Sequence, residues 1–154
     1  MSTIRFTSQP EALRLLVAQA QSPEWTDVRP AAGGWSAREH LAHLARHAEV
    51  FEGRLARILR EAKPAVGRYR AEDDPEWPAW SALPWEVVVE RWHATRGELT
   101  RFVAALAPGD LERTGLHPTF GELAIHQWLE FFLLHEAHHL YTALVRLGEA
   151  RRRL

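Results

Sequence analysis

Residues 36–62, which read SAREHLAHLARHAEVFEGRLARILREA, decide the fold of this chain. Apolar side chains recur there in alternating steps of three and four, which places them on one face of an amphipathic helix. These positions are Leu41, Leu44, Ala48, Phe51, Leu55, Ile58 and Ala62. Ser36 and Glu39 form the S/T-x-x-E pattern of a capping box, in which each side chain accepts a hydrogen bond from the other's backbone amide. The stretch therefore predicts one long helix over 37–62.

Three further amphipathic segments predict three more helices. The first covers about 9–21, and the second begins near Pro84 and stops at Pro108-Gly109. The third covers about 120–147, and Gly148 is the residue predicted to end it. Capping boxes at Ser8–Glu11 and Thr119–Glu122 mark the first and the last of these starts. No segment alternates with the two-residue period of a strand. We therefore predict an all-α fold, a four-helix bundle that forms a single domain over residues 1–154.

The segments between the helices are rich in proline and glycine and are predicted to be loops. They cover 22–35, 63–83 and 108–118. The second of these is long for a helical bundle, and long loops are either functional or disordered. It contains Tyr69, Trp77 and Trp80, so we expect it to pack against the bundle.

Composition excludes several classes of function. The 19 basic and 20 acidic residues give a net charge of −1, so we expect no nucleic-acid partner. The absence of cysteine excludes disulfides, thiolate metal sites and cysteine nucleophiles. No apolar run reaches the roughly 18 residues of a membrane span, and the first residues lack the pattern of a secretory signal. We therefore expect a cytoplasmic protein with no membrane partner.

Six of the nine histidines lie in two of the predicted helices. They are His40, His43 and His47 in the second helix and His135, His138 and His139 in the fourth. His135 and His139 are four residues apart and so project from one helix face. Neutral imidazole binds zinc, nickel, copper and iron, and three protein ligands leave positions open for substrate. The pattern predicts a metal site, and the alternative is a set of hydrogen-bonded core or exposed histidines.

Two motifs resemble a known family. The run from Trp35 to Leu44 places a tryptophan eight residues before His-Leu, and the fourth helix contains His135-Glu-Ala-His-His139-Leu140 after His117-Pro-Thr-Phe-Gly-Glu122 and Gln127-Trp128-Leu129. The chain therefore resembles the DinB-like family of metal-binding four-helix bundles. The resemblance implies that His43, His135 and His139 hold a divalent metal, and it does not distinguish zinc, nickel and iron. It leaves His40 and His47 with outer roles around the metal or in the core, and His138 is less suited to share the ion.

Two departures from the family pattern affect the surroundings of the metal. Thr142 stands where many members have glutamine, and Ala48 stands where they often have an acidic residue. The outer environment and the substrate pocket therefore stay open.

The resemblance implies an enzyme that uses a low-molecular-weight thiol, as bacillithiol transferases and mycothiol-dependent isomerases do, in stress or detoxification. Since the chain has no cysteine, the thiol would be a cosubstrate beside a small-molecule substrate. Metal-dependent hydrolysis is the nearest alternative. A non-catalytic bundle with a structural metal and a metal-free bundle are the remaining hypotheses.

Other residues of the fourth helix allow two interpretations each. His135-Glu136-Ala137-His138-His139 also reads H-E-x-x-H, but a zincin needs a downstream third ligand, and no histidine follows. Glu136 is then a candidate to bond a ligating imidazole or to shuttle protons, or else an exposed helix residue. The aromatic side chains Trp128, Phe131 and Phe132 form either a pocket wall or plain core. Because this helix is apolar nearly all round, it is either central or packed on a partner subunit, and we predict a homodimer.

Overall fold

The computed structural model, which describes residues 3–154, confirms the predicted all-α four-helix bundle. Its helices are α1 (Thr3–Ser8), α2 (Ala12–Gln19), α3 (Pro23–Asp27), α4 (Ala37–Arg60), α5 (Trp77–Ser81), α6 (Trp85–Ala104) and α7 (Ile125–Arg153), with 3-10 turns at Gln9–Glu11, Ala71–Asp73 and Asp110–Glu112. Two short strands, β1 (Thr114–His117) and β2 (Gly121–Ala124), form an antiparallel hairpin before α7. The helix α4 packs along α6 and α7, and α2 packs on α7.

The long helix α4 agrees with its prediction, since it ends two residues before the expected position. The capping box is present: the Ser36 hydroxyl accepts from the Glu39 amide at 3.3 Å, and the Glu39 carboxylate accepts from the Ser36 amide at 2.9 Å. Arg29 also donates to this buried carboxylate. Leu41, Phe51 and the other apolar residues of the predicted stripe up to Ile58 are buried. The predicted face is therefore the face that enters the core.

The first predicted helix and its capping box are wrong in detail. Helical structure already includes Thr3, and Ser8 has helical backbone angles, with no hydrogen bond from its side chain to a helix amide. A capping serine needs an extended backbone, so Ser8 cannot act as one here. Pro10 lacks an N–H, and the 3-10 turn at Gln9–Glu11 joins α1 to α2 at this point.

The third capping box and the expectation of no strands are also wrong. Residues 119–122 form the turn and the start of β2, with Gly121 at a φ of +73° that favours glycine. The Glu122 carboxylate accepts from Thr114 across the hairpin at 2.8 Å rather than capping a helix. The last helix begins instead at Ile125, where Gln127 accepts from the Ala124 amide at 2.9 Å.

The ends of the last two long helices differ from expectation in opposite directions. The helix α6 begins after Pro84 as predicted and ends at Ala104, before the Pro108-Gly109 stop. The helix α7 continues through Gly148 to Arg153, so Gly148 does not terminate it. Gly148 is not among the glycines with positive φ, the conformation that a terminating glycine would need.

The buried side chains form two clusters. One contains Leu41, Trp85, Trp92 and neighbours from α2 and α7, and the other contains Phe51, Leu99, Trp128, Phe132 and neighbours from α1 and α7. On α7, Leu133 is fully buried, whereas Leu134 and Tyr141 are 66% and 69% exposed, so burial in the bundle accounts for only part of the apolar character of this helix. Within residues 3–154, none of the helices combines the length and the apolar content that crossing a membrane requires.

Candidate metal centre

Three histidines from two helices meet in the interior of the bundle. His43 on α4 and His135 and His139 on α7 each offer one ring nitrogen, and these nitrogens all lie within 4.8 Å of one another. The Nε2 atoms of His43 and His135 are 3.1 Å apart. Two nitrogens bound at about 2.0–2.1 Å to one tetrahedral zinc ion are about 3.3 Å apart, so this spacing fits two ligands of a shared cation.

The protonation of these histidines also suits metal binding. Burial, with a smaller effect from neighbouring histidines, lowers the pKa of His43 to about 3. Burial likewise lowers the pKa of His135 to about 4 and holds the pKa of His139 well below its ordinary value. All three rings are therefore neutral at pH 7, and neutral imidazole is the form that ligates metals.

The other histidines of the two helices occupy distinct positions. The Nδ1 atom of His40 is 2.9 Å from the Nδ1 atom of His139, so His40 orients that ring from behind. His47 is buried, with its ring centroid 4.2 Å from that of His135 and its plane stacked on Phe132. His138 is exposed and lies outside the group of three.

Several imidazole nitrogens of this cluster are unpaired. The Nδ1 atoms of His43, His47 and His135 are buried and have no hydrogen-bond partner among the described residues. Buried polar atoms in proteins are almost always paired, and exceptions mark functional groups or places for an unseen ligand. The donor set fits a divalent cation of the kind that imidazole prefers, with the Nε2 atoms of His43 and His135 3.1 Å apart, while the unpaired Nδ1 atoms lie on the opposite edges of those rings.

Aromatic side chains cover the histidines. The Trp35 ring lies 4.9 Å from that of His43 and 5.9 Å from that of His139, measured between ring centroids. The Tyr69 ring stacks on His43 at 5.6 Å. The Tyr69 hydroxyl donates to Asp74 at 3.0 Å, and Arg46 on α4 donates to the same carboxylate at 2.7 Å. The segment 63–83, predicted to be a loop, contains α5 and a 3-10 turn, and these contacts tie it to α4 and place Tyr69 over the site.

A cavity of about 640 Å³ opens onto the three histidines. Such a volume is typical of small-molecule sites. Phe131 lines this cavity, whereas Trp128 and Phe132 lie in the core, so the aromatic group of α7 serves both roles. Thr142 donates to the backbone carbonyl of His138, and Ala48 is buried in the core, so neither adds a polar group to the cavity.

Glu136 lies in a separate buried network. Its Oε1 accepts from the Arg96 guanidinium at 2.7 Å and its Oε2 accepts from Gln9 at 2.7 Å. Arg96 also donates to the backbone carbonyl of Phe6 at 2.6 Å. Both carboxylate oxygens are thus bonded to α6 and to the N-terminal helical segment. No hydrogen bond within residues 3–154 joins Glu136 to the three histidines, so the candidate role as a proton shuttle has no contact to support it.

Sequence reasoning missed several residues of the cavity wall. Arg54, Arg68, Tyr69 and His117 all line it, and none was singled out from the pattern as a site residue. Arg54 alone carried a usable signal, because it follows His47 by seven residues and so lies on the same face of α4 two turns further along. The others come from a loop and a hairpin whose placement the spacing does not determine.

Sequence comparisons agree with the fold and the histidine pattern. A family model described as the DinB superfamily matches residues 5–143. The uncharacterized protein YuaE of Bacillus subtilis is 30% identical over 131 residues, which cover 77% of this chain and 81% of YuaE. A protein of Oceanobacillus iheyensis provisionally named a metal-dependent hydrolase is 30% identical over 120 residues, or 76% of this chain and 67% of that protein.

Solved structures share the architecture. YfiT of Bacillus subtilis, described as a four-helix bundle and provisionally as a metal-dependent hydrolase, matches with a TM-score of 0.72. Its identity is 22% over 98% of this chain and 84% of YfiT. The four-helix bundle protein TT2238 matches with a TM-score of 0.57 and 25% identity, over 90% of this chain and 91% of its own. With the family match across most of its length, the resemblance predicted from Trp35–Leu44 and His135–Leu140 is confirmed, and the chain belongs to the DinB superfamily.

Proposed function

We propose that this protein is a metal-dependent hydrolase of a small-molecule substrate, with His43, His135 and His139 holding a divalent cation. The observation that carries the proposal is the convergence of three neutral imidazole nitrogens within 4.8 Å at a cavity of about 640 Å³. The provisional names of the Oceanobacillus relative and of YfiT support hydrolysis as the reaction.

Residues around the three histidines orient the ligating rings and keep water away from them. When bound, a divalent cation provides Lewis-acid chemistry and lowers the pKa of water or of a thiol toward neutrality. His40 bonds His139 and fixes the orientation of its ring. Trp35 and Tyr69 cover the histidines and reduce the access of bulk solvent, which strengthens electrostatic interactions inside the cavity.

Transfer of a low-molecular-weight thiol is the second candidate reaction. The size of the cavity favours it, since about 640 Å³ is enough for a thiol and an electrophile together. The two reactions differ in their cosubstrate. Release of p-nitrophenol from p-nitrophenyl acetate that wild type catalyses without added thiol and His139→Ala does not indicates hydrolysis. Consumption of 1-chloro-2,4-dinitrobenzene with cysteine that exceeds the protein-free rate and is lost in His139→Ala indicates transfer.

Elemental analysis of the purified protein tests the metal centre. Wild type is expected to retain about one divalent ion per chain, and His43→Ala and His139→Ala are expected to lose at least 100-fold in affinity, since even outer partners of ligands contribute 10- to 100-fold. His138→Ala is the matched control, because His138 is adjacent to His139 but exposed and outside the group. Equal metal content in all four proteins would contradict the assignment.

The predicted homodimer and the absence of a nucleic-acid partner stay predictions. Sedimentation equilibrium of the metal-loaded protein distinguishes a 17.6 kDa monomer from a dimer of twice that mass.

A further inference from the structure

Arg54 in the cavity wall has no carboxylate partner within residues 3–154. Arg54 is half-buried on α4, and its Nη2 donates to the backbone carbonyl of Gly67 at 2.6 Å. Arg46 and Arg57 on the same helix each form ion pairs with carboxylates, whereas no ion pair within residues 3–154 includes Arg54. Burial lowers the pKa of Arg54, which reflects the cost of holding this charge partly away from water. An anion bound in the cavity would offset this free-energy cost by pairing with the guanidinium of Arg54.

His117 supplies a second hydrogen-bond donor in the wall of the same cavity. The Nδ1 atom of His117 accepts from the Thr119 amide at 3.0 Å and from the Phe120 amide at 3.1 Å. The neutral ring therefore carries its proton on Nε2, which leaves that atom as a hydrogen-bond donor. His117 and Arg54 line the same cavity, and burial, with smaller effects from the charges of Arg54 and Arg68, lowers the pKa of His117.

The rest of the cavity wall also carries an excess of positive charge. Arg68 also lines the cavity, is exposed and forms no ion pair within the described chain. Arg70 lies 3.7 Å from Asp73, and Glu72 is the acidic residue that the described wall contains. Three guanidinium groups thus oppose one carboxylate, next to the apolar surface of Phe131.

We propose that Arg54 and the Nε2–H of His117 form a subsite for the anionic oxygens of the substrate, which is then a small carboxylate or phosphate monoester with an apolar body. Guanidinium and imidazole N–H groups are suited to this task, because charge-assisted bonds to oxyanions are short and strong. The inference rests on the proposed function, since the subsite orients the substrate toward the three histidines in the same cavity.

Calorimetry on the full-length, zinc-loaded protein tests the subsite with three probes of similar shape. The probes are benzoate, phenyl phosphate and benzyl alcohol, which separate the carboxylate, the phosphate and the neutral case. Arg54→Gln is expected to weaken binding of the favoured anion at least tenfold and to leave benzyl alcohol unchanged. Arg60→Gln is the matched control, since Arg60 lies exposed on the same helix away from the cavity wall.

His117→Phe gives an independent measurement, because it keeps a ring that stacks on Phe120 and removes the donor. We expect it to weaken anion binding several-fold. Wild-type dissociation constants in Arg54→Gln, or tighter binding of benzyl alcohol than of either anion, overturn the subsite. Metal content, measured on each sample, tests the metal centre separately. A wild type that retains no zinc, nickel or iron after loading with each contradicts the proposed function, while the comparison of Arg54→Gln with wild type still decides the anion subsite.

Discussion

Replacing Glu136 by glutamine is expected to destabilise the fold by about 3 kcal/mol and to leave the metal centre intact. The side chains of Glu136 and Arg96 are 1% and 2% exposed, and removal of one partner from a buried ion pair costs about 3–5 kcal/mol. In wild type the Arg96 Nε donates to Glu136 at 2.7 Å, and the side-chain oxygen of glutamine can still accept this hydrogen bond. The expected loss of stability is therefore at the lower end of that range. With a urea m-value of about 2 kcal/mol/M, the unfolding midpoint should fall by about 1.5 M.

Two controls make the Glu136 experiment decisive. Glu130→Gln, on the same helix as Glu136, breaks an ion pair with Arg5 of α1. The side chains of Glu130 and Arg5 are 37% and 53% exposed, so this loss should cost less than about 1 kcal/mol. The double variant Arg96→Met, Glu136→Leu removes both charges and should recover most of the stability. If Glu136 were instead the general base of an H-E-x-x-H site, glutamine would abolish turnover at unchanged stability. A loss under about 1 kcal/mol would refute the reasoning.

Further substitutions and conditions test other parts of the structure. Gly115→Ala places a Cβ 2.8 Å from Ile58 Cγ1 and should cost about 1–3 kcal/mol in urea unfolding, whereas Gly53→Ala meets no atom within 4 Å on α4 and should gain up to about 1 kcal/mol. Ser36→Ala removes the cap of α4 and should lower stability by about 1 kcal/mol, read from the same titration. In metal-free protein the pKa of His43 is about 3 in the folded chain and about 6.5 in the unfolded chain. The unfolded chain therefore binds a proton that the folded chain does not, so the contribution to stability is full above pH 6.5 and is lost as the pH falls toward 3. Urea midpoints that stay constant from pH 7 to pH 5 would contradict this.

The sequence predicts α4 well because local and tertiary signals agree there. Its capping box, its apolar spacing and its buried face all refer to the same residues, from Ser36 to Ile58. Agreement between local preference and packing is what makes a segment predictable. The first segment lacks that agreement, since Ser8 satisfies the capping pattern but stands inside a helical run that includes Thr3.

The hairpin before α7 could not be predicted because its determinants are tertiary. Its strands have four residues each, too few for a two-residue alternation to emerge. Gly115 in β1 packs where a Cβ would meet Ile58 of α4, and Leu116 exchanges backbone hydrogen bonds with the loop at Pro64 and Val66. These contacts join segments about fifty residues apart, so Thr119–Glu122 reads locally as a helix start and folds as a turn.

The metal centre was predictable in part. Spacing alone indicated that His135 and His139 share a face, but it could not choose among His40, His43 and His47, which lie along one edge of the same helix. The family resemblance selected His43, and the structure places its nitrogen within 4.8 Å of both partners on α7. The choice follows from where α4 crosses α7, which is a property of packing between helices rather than of either helix alone.

The helix α4 connects the fold to the proposed chemistry. Its buried apolar residues fix its position between α6 and α7, and the same rigid backbone carries His43, His47 and Arg54 along the edge that borders the cavity. Because His43 and Arg54 share one helix, the separation of their backbone positions is set by helix geometry, at about 1.5 Å per residue along the axis. The proposed metal centre and the proposed anion subsite therefore share one rigid support, and a shift of α4 would move both together.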